Sequence, residues 1–149
     1  MPLVIRPFEP HDQDAARRLI LTGLGEHFGY IDETCNPDID DIRANYLETS
    51  HAFIVAEIEA ELVGTGALLT KQENMGRIVR MSVSRSYRRQ GIGGALVSHL
   101  LDLARQRGWT QILVSTEPDW EDAIGFYNES GFTETKRDDV GVYFVMLLN

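Results

Sequence analysis

A glycine-rich loop between a strand-like segment and a periodic helix constrains this chain more than any other feature. The loop spans residues 88–95 and reads RRQGIGGA. Upstream, residues 77–83 alternate apolar and polar side chains, as a half-buried strand does. Downstream, residues 96–104 place apolar side chains at i, i+3 and i+4, and Gly108 supplies a helix stop. The sequence therefore predicts a strand, a glycine loop and a helix in succession.

The loop has the chemistry of a phosphate-binding site. The start of a helix leaves backbone N–H groups unpaired and carries the positive end of the helix dipole. Gly91, Gly93 and Gly94 have no Cβ that would keep a pyrophosphate away from the backbone. Arg88 and Arg89 add charged hydrogen-bond donors beside them. We therefore expect this loop to bind an anionic group of a cofactor.

Three kinds of glycine loop compete for this stretch. A P-loop requires Gly-Lys-Ser or Gly-Lys-Thr, which the sequence lacks. The dinucleotide fingerprint requires a third glycine at position 96, where the chain has Leu96, and normally opens a βαβ unit. A nicotinamide-dependent enzyme, which would need this fingerprint, is therefore the least favoured of the three hypotheses for this chain. The remaining pattern is Arg-x-x-Gly-x-Gly.

Two motifs in the second half of the chain resemble one known family. Arg88, Gly91 and Gly93 follow a strand ending in Met81-Ser82-Val83, and this pattern resembles the acetyl-coenzyme-A signature of the GCN5-related N-acetyltransferase (GNAT) family. Some 30 residues later comes a second stretch, which is similar to the last helix of that family. Its matching positions are Ala123, Phe126, Tyr127, Gly131 and Phe132. Trp120 stands where the family often has an asparagine, which leaves one side-chain contact to the cofactor open.

The order of predicted elements is β-α-α-β-β-β-α-β-α-β-β. Alternation of local hairpins and helical crossovers indicates a mixed α/β fold, and the length favours a single domain over residues 1–149. The resemblance extends from end to end. It implies a GNAT-like domain, in which a mixed, mostly antiparallel sheet is flanked by helices and the cofactor strand splays from its neighbour.

The first half of the chain is predicted from caps and spacing. Asp12 is a plausible N-cap for the first helix, whose end Gly23 and Gly25 weaken. Residues 26–37 show no clean period and are predicted to be a loop. A second helix is predicted to start at Asp38. Its inward residues would be Ile39, Ile42, Tyr46 and Leu47.

Composition limits the partners. The formal net charge is −9, which argues against nucleic acid or an anionic membrane surface and is compatible with a cationic substrate. Cys35 is the only cysteine, so no intramolecular disulfide and no cysteine metal cluster can form. No apolar run is as long as a membrane span, and residues 1–6 show no signal-peptide pattern. A cytoplasmic protein is the expectation.

The resemblance implies transfer of an acetyl group from acetyl-coenzyme A to an amine by direct attack on the thioester. The loop amides would hold the pyrophosphate, and the backbone of Met81 and Val83 would bind the pantetheine arm. The positions assigned to the cofactor are Met81, Ser82, Val83, Arg88, Arg89, Gln90, Gly91, Ile92, Gly93, Gly94 and Ala95. A non-catalytic acyl-coenzyme-A-binding or sensing domain is the alternative.

Two residues are assigned to the chemistry. Tyr127 is the candidate acid, because its counterpart in the family points its hydroxyl at the cofactor sulfur; a purely structural role within its apolar stripe is the competing interpretation. Many family members carry a carboxylate on the cofactor strand, but residues 77–81 contain none. Glu117, at the end of the buried strand 110–116, is the first candidate for the general base. A solvated loop acid is the other interpretation of Glu117.

The acceptor amine is assigned to the segment after the first helix, where the family usually builds part of that pocket. Aromatic rings and carboxylates there can surround a cation, or can instead cover the core. The residues are Glu26, His27, Phe28, Tyr30, Asp32 and Glu33. Four of them, Glu26, His27, Asp32 and Glu33, are also the second set of candidates for the general base. We expect no metal site at His27, because no second histidine stands at ligand spacing. Dimers are frequent among members of the family, so the resemblance implies a possible homodimer.

Overall fold

The structure, a computed structural model, describes residues 2–148; Met1 and Asn149, the ends of the predicted domain, lie outside the described residues. One seven-stranded sheet runs through the molecule in the order β1-β2-β3-β4-β5-β7-β6. The strands are β1 (Leu3–Pro7), β2 (Ala52–Ile58), β3 (Glu61–Gln72), β4 (Met75–Val83), β5 (Gln111–Thr116), β6 (Thr133–Arg137) and β7 (Val142–Leu147). The helices are α1 (Gln13–Phe28), α2 (Ile92–Gln106) and α3 (Glu121–Glu129). Because all pairs except β4 with β5 are antiparallel, the predicted mixed sheet is confirmed.

Each face of the sheet carries its own hydrophobic core. Alternate residues of β2 point to opposite sides, with Phe53 and Val55 on one face and Ile54 and Ala56 on the other. Helix α1 and residues 37–47 cover the first face, called here the α1 face. Helices α2 and α3 cover the opposite face, called here the α2 face. The sheet is therefore the middle layer between two sets of helical segments.

Strands β4 and β5 pair over one short stretch and then separate. The parallel ladder joins residues 75–77 to residues 111–113, with Arg77 opposite Leu113 as its last pair among the described residues. At the start of this ladder Trp109 packs on Gly76, where a Cβ would collide with the indole ring. Beyond Arg77 the two strands leave backbone groups unpaired along their facing edges. The predicted splay of the cofactor strand is thereby confirmed and opens a cleft through the sheet.

The second predicted helix is wrong as an α-helix. Residues Pro37–Asp41 form a 3-10 turn, and Arg43–Leu47 form a single π-helical turn. Side chains satisfy the backbone there, since Gln13 donates to the Ile39 carbonyl and accepts from the Ile42 N–H. A segment held by side chains in this way does not need a regular helical ladder. Ile39, Ile42 and Tyr46 are buried as expected, whereas Leu47 is 38% exposed.

Helix α1 is longer than predicted. It continues through the two glycines to Phe28 and ends at Gly29, which has φ +86. The loop therefore starts three residues later than predicted. Glu26, His27 and Phe28 lie on the last turn of α1 instead. A Cβ at Gly23 would lie 3.0 Å from the Ser82 hydroxyl, so this glycine allows close packing on β4 instead of ending the helix.

Asp12 does not cap α1 with its side chain, contrary to prediction. Its carboxylate accepts two hydrogen bonds from Arg6, at 2.8 and 2.9 Å, and one from the Glu9 N–H at 2.8 Å. Burial raises the pKa of Asp12, but the bonds from Arg6 and Glu9 outweigh burial and hold the pKa below its usual value. Asp12 thus fixes β1 to the turn that precedes α1.

Candidate active site

The cleft between the splayed strands is open to both faces of the sheet and has a volume of about 2330 Å³. Pockets for one small molecule typically measure about 300–1,000 Å³. The cleft therefore has room for a large cofactor and a second substrate together.

The glycine loop forms one wall of the cleft. Gly91 adopts φ +83 as the residue before α2, and the first turn of α2, whose amides have no partner within the helix, lines the cleft. A Cβ at Gly94 would meet nothing within 4 Å, whereas one at Gly93 would lie 3.1 Å from the Phe126 ring. The two glycines therefore have different roles. Gly94 leaves the helix start open, and Gly93 makes room for α3.

Most of the predicted cofactor positions line the cleft. Met81, Ser82 and Val83 do so from the end of β4, and Arg88, Arg89, Gly91, Ile92, Gly93 and Gly94 do so from the loop. Gln90 is exposed and does not line the cleft, and the Ala95 N–H already donates to the Gly91 carbonyl. Arg88 donates to Glu26 at 2.9 Å and to the Val83 carbonyl at 3.0 Å. These two bonds connect the loop with α1 and β4.

A bulge in β4 shapes the floor of the cleft. Arg80 adopts φ +56, and the register with β3 shifts between Thr65 and Ala67. The fully buried Thr65 hydroxyl donates to the Arg80 carbonyl at 2.8 Å. A non-glycine residue in this conformation costs on the order of 1–3 kcal/mol, so neighbouring contacts must hold it. The bulge turns the Arg80 side chain to the α1 face.

An ion-pair cluster secures that side chain. Arg80 donates to both carboxylate oxygens of Asp38, at 2.9 and 2.6 Å, and to Asn36 at 3.1 Å. The Tyr46 hydroxyl donates to Asp38 at 2.6 Å. Burial raises the pKa of Asp38, but the bonds from Arg80 and Tyr46 hold it below its usual value. The cluster neutralises Arg80 and fixes residues 36–46 over the cleft, a role that no sequence signal indicated.

Tyr127 reaches the cleft from the α2 face. Its ring packs against Phe126, Phe132 and Phe144 at centroid distances of 5.2, 5.8 and 5.9 Å. The residue is only 7% exposed yet lines the cleft. Burial raises the pKa of its hydroxyl well above the usual value, so the group stays protonated. Tyr127 is thus a core residue that also borders the cleft, and its role as the acid stays a prediction.

Glu117 and His27 meet on the α1 face. One ligand atom from each of His27, Glu117 and Asp119 lies within 4.8 Å of the other two, and His27 Nε2 is 3.6 Å from the Asp119 carboxylate. The imidazole stacks on Trp120 with a centroid distance of 3.9 Å and an interplanar angle of 7°. Glu117, predicted as base, thus has a titratable neighbour from α1. The same three side chains would also suit a divalent cation. Its acids, Glu117 and Asp119, are not those considered for a metal site from the sequence.

Part of the predicted acceptor segment lies elsewhere. Glu26 and His27 line the cleft, but Phe28, Tyr30, Asp32 and Glu33 do not. Tyr30 is 68% exposed, and Glu33 bonds to Arg17 and Arg18. Cys35 and Thr34 donate to Asp32 and lower its pKa to about 2. In their place the cleft is lined by Asp38, Asn45 and Tyr46 from the next segment.

Three further residues border the cleft without having been predicted. Arg77 on β4 donates to the Ser115 hydroxyl on β5 at 3.1 Å, close to the point where the strands separate. Tyr143 on β7 is the strand partner of Ser115 and lines the same wall. Their proximity depends on the order of strands in the sheet, which a spacing pattern does not reveal.

A splayed parallel strand pair beside a glycine-rich helix start, within a mostly antiparallel sheet, defines an acetyltransferase type of α/β protein. Residues 18–132 match the model of the acetyltransferase (GNAT) family. The chain therefore belongs to the GNAT family, whose members use acetyl-coenzyme A as cosubstrate.

Curated relatives of this chain are named N-acetyltransferases. N-acetyltransferase family 8 member 2 of Rattus norvegicus is 36% identical over 79% of this chain and 52% of its own length. N-acetyltransferase 8B of Homo sapiens is 37% identical over 71% of this chain and 49% of its own length. The chain thus spans about half the length of the curated relatives it matches.

Solved structures show the same fold over nearly the full length. An acetyltransferase of the GNAT family from Staphylococcus aureus superposes with a TM-score of 0.90, at 25% identity, covering 99% of this chain and 100% of that one. The PaiA N-acetyltransferase of Thermoplasma acidophilum, crystallised in complex with coenzyme A, gives a TM-score of 0.86 at 15% identity, covering 99% of this chain and 100% of that one. Among residues 2–148, no helix combines the length and apolar character needed to cross a bilayer.

Proposed function

We propose that residues 1–149 act as one N-acetyltransferase domain that moves an acetyl group from acetyl-coenzyme A to a primary amine of a small molecule, amino acid or protein. The observation that carries the proposal is a single cleft that joins the start of α2, the free edge of β4 and the Tyr127 side chain. Family membership supports the reaction type.

The cleft offers separate places for the parts of the cofactor. The open backbone at Gly94, with Arg89 beside it, suits a pyrophosphate. The β4 edge from Met81 to Val83 has backbone groups that β5 does not bond, and these would pair with the amides of the pantetheine arm. The thioester would then reach the gap between the strands. Tyr127 borders that gap from the α2 face.

The proposed chemistry needs one proton to leave and one to arrive. A neutral amine attacks the thioester carbonyl, forming a C–N bond as the C–S bond breaks. The amine proton passes to Glu117 or its neighbour His27 on the α1 face, directly or through water. Tyr127 donates a proton to the departing thiolate. Because the base and the acid stand on opposite faces of the sheet, they do not compete for the same proton.

The test is thermal unfolding with acetyl-coenzyme A, coenzyme A, NAD and ATP at matched concentrations. Ligand at about 100 times its Kd adds roughly 2.7 kcal/mol to the free energy of unfolding. At about 2–4 °C per kcal/mol, Tm should rise by about 5–11 °C with the coenzyme A compounds only. NAD and ATP are the controls for other uses of the glycine loop.

Turnover decides between a transferase and the alternative, a non-catalytic acyl-coenzyme-A sensor. Release of free thiol from acetyl-coenzyme A, dependent on an added amine, is the expected result. A Tm rise without amine-dependent thiol release across a broad amine panel would favour the sensor. No Tm rise with either coenzyme A compound would contradict both functions.

Cytoplasmic location, the possible homodimer and the absence of nucleic-acid or membrane partners stay predictions from the sequence. The net charge of −9 supports the last of these, because phosphate-rich surfaces repel such a chain.

A further inference from the structure

Arg77 is the residue that the proposed reaction leaves without a role. It belongs to the last pair of the β4–β5 ladder, where the strands begin to separate. Its neighbour Ile78 is buried in the core of the α2 face, so Arg77 projects to the α1 face. The side chain is half-buried and lines the cleft. A cationic group therefore stands near the inner end of the acceptor side.

The charge of Arg77 is not neutralised within the described chain. Its Nη1 donates to the neutral hydroxyl of Ser115, and no carboxylate of residues 2–148 lies within 4.0 Å of the guanidinium. Arg80, three positions away on the same face, is neutralised by Asp38. An uncompensated guanidinium in a cleft indicates an anionic ligand.

The opposite charge lies a short distance along the same wall. Ser115 alternates with the buried Val114, so its side chain is on the α1 face, and Glu117 follows two residues later. Glu117 lies just beyond the end of β5, and two residues of chain span at most about 7 Å, so Glu117 stays near Ser115. Glu117 adjoins His27 and Asp119. This wall of the cleft thus presents a cation beside Ser115 and acids two and four residues further along the chain.

We infer that the acceptor is a small amine that also carries a carboxylate, with the carboxylate bound by Arg77 and the amine held near Glu117. This inference rests on the proposed acetyltransferase function and narrows its acceptor. An α-amino acid has both charges one carbon apart, which suits the short separation of Ser115 from Glu117. A protein N-terminus lacks the adjacent carboxylate, because that group is part of the peptide bond. Ser115 is a positioning residue that orients the guanidinium.

The experiment compares acceptors that differ only in the carboxylate. The probes are the twenty protein amino acids, their α-carboxamides and their decarboxylated amines, each tested with acetyl-coenzyme A by thiol release. Loss of a charge-assisted hydrogen bond should lower kcat/KM by about tenfold to a hundredfold. The best amino acid should therefore exceed its carboxamide and its decarboxylated amine by that factor. A set of carboxyl-free dipeptide amides stands for protein N-termini and should react as poorly as the carboxamides.

Variants separate recognition from folding. Arg77→Gln should raise KM for the amino acid by about tenfold or more and leave carboxamide turnover and the Kd of coenzyme A unchanged. Arg77→Lys should restore part of the loss because the charge returns. Arg137→Gln is the matched control, because Arg137 is an exposed arginine on β6 that bonds to Glu134 and lies outside the cleft. It should change neither the KM for the amino acid, nor carboxamide turnover, nor the Kd of coenzyme A.

Three outcomes would overturn the inference, and they differ in what they imply for the acetyltransferase function. Equal or better turnover of carboxyl-free amines, or an equal loss for acids and carboxamides in Arg77→Gln, would contradict a carboxylate site and leave the acetyltransferase function standing. No turnover of any amine by protein that binds acetyl-coenzyme A would contradict both.

Discussion

Burial decides what Tyr127 can do chemically. An exposed tyrosine loses its proton near pH 10, whereas the aromatic surroundings of Tyr127 disfavour the phenolate and raise its pKa. The residue is therefore unsuited as a base and suited as an acid that stays protonated in alkaline solution. A thiolate leaving group needs such a donor.

Replacement of Tyr127 by phenylalanine should lower kcat by about a hundredfold or more, because general acid catalysis typically contributes about 10²–10⁴-fold. The ring and its packing remain, so the Kd of coenzyme A should not change. Since the pKa is raised, wild-type kcat should show no loss from Tyr127 ionisation as the pH rises to about 9.5. Steady-state kinetics between pH 6 and 9.5 measures both. Unchanged turnover in the variant would refute the acid role.

Where a motif fixes the position, the sequence predicted which residues lie at the cleft. Tyr127 and the loop glycines line it, and each stands at a set distance from its motif neighbours. Arg77, Arg80 and Asp38 were missed, since their contacts join residues up to 44 positions apart in the chain. Apolar and polar alternation located Arg77 and Arg80 on a strand but gave no partner for either.

At the scale of elements, the start of α2 is where packing and binding needs are divided between two adjacent glycines. Gly93 faces Phe126 of α3, and Gly94 faces open space in the cleft. A side chain at either position would be excluded for a different reason, by a neighbouring helix in one case and by a ligand in the other.

Gly94→Val should raise the Kd of coenzyme A by about tenfold or more, because the new side chain would stand over the amides that hold the pyrophosphate. The free energy of unfolding should change by less than about 1 kcal/mol, since valine is the better helix residue of the two. Calorimetric titration and thermal unfolding measure the two quantities.

Gly93→Val is the matched comparison for Gly94→Val. Here the added atoms would meet Phe126, and overpacking of this kind costs about 1–3 kcal/mol of stability. Folded Gly94→Val protein that binds coenzyme A like the wild type would contradict the assignment of the pyrophosphate to this helix start.

Elements with a strong period were predicted well, and those held by side chains were not. The apolar stripe of α2 predicted a helix over the stretch where the structure has one. Residues 37–47 carry a similar pattern, but the side chains of Gln13 and Asn45 bond to the backbone of this segment. These bonds replace part of a helical ladder, so the segment forms a 3-10 turn followed by a π turn. The end of α1 was missed because Gly23 and Gly25 serve packing, a function that looks like a helix stop in the sequence.

At the scale of the whole molecule, a few ion pairs connect the helical layer on the α1 face with the sheet. Arg80 and Asp38 connect β4 with residues 36–46, and Arg6 and Asp12 connect β1 with the turn before α1. Both carboxylates have a lowered pKa in the folded protein. Each pair therefore stabilises the fold above the unfolded pKa of about 3.9 and loses its effect as the pH falls through the lower folded value.

Asp38→Asn should lower the free energy of unfolding at pH 7 by about 1–2 kcal/mol, a value that allows for solvent screening of this partly exposed pair. At about 2–4 °C per kcal/mol, Tm would fall by about 2–8 °C. The difference from wild type should shrink at low pH, because below about 3.9 Asp38 becomes protonated first in the unfolded state and then, at the lower folded pKa, in the folded state. Asp102→Asn, at an exposed pair on α2, is the control and should have little effect at either pH. An equal difference at both pH values would argue against the ion pair as the cause.

The stacking of Trp120 on His27 has a use in the laboratory. The chain has two tryptophans, and the other, Trp109, is buried beside Gly76 and does not line the cleft. The Trp120 ring lines the cleft and stacks on His27, so a molecule entering the cleft changes the surroundings of the indole. Emission from Trp120 therefore reports occupancy of the site without an added dye, and Trp109 supplies a steady reference within the same spectrum.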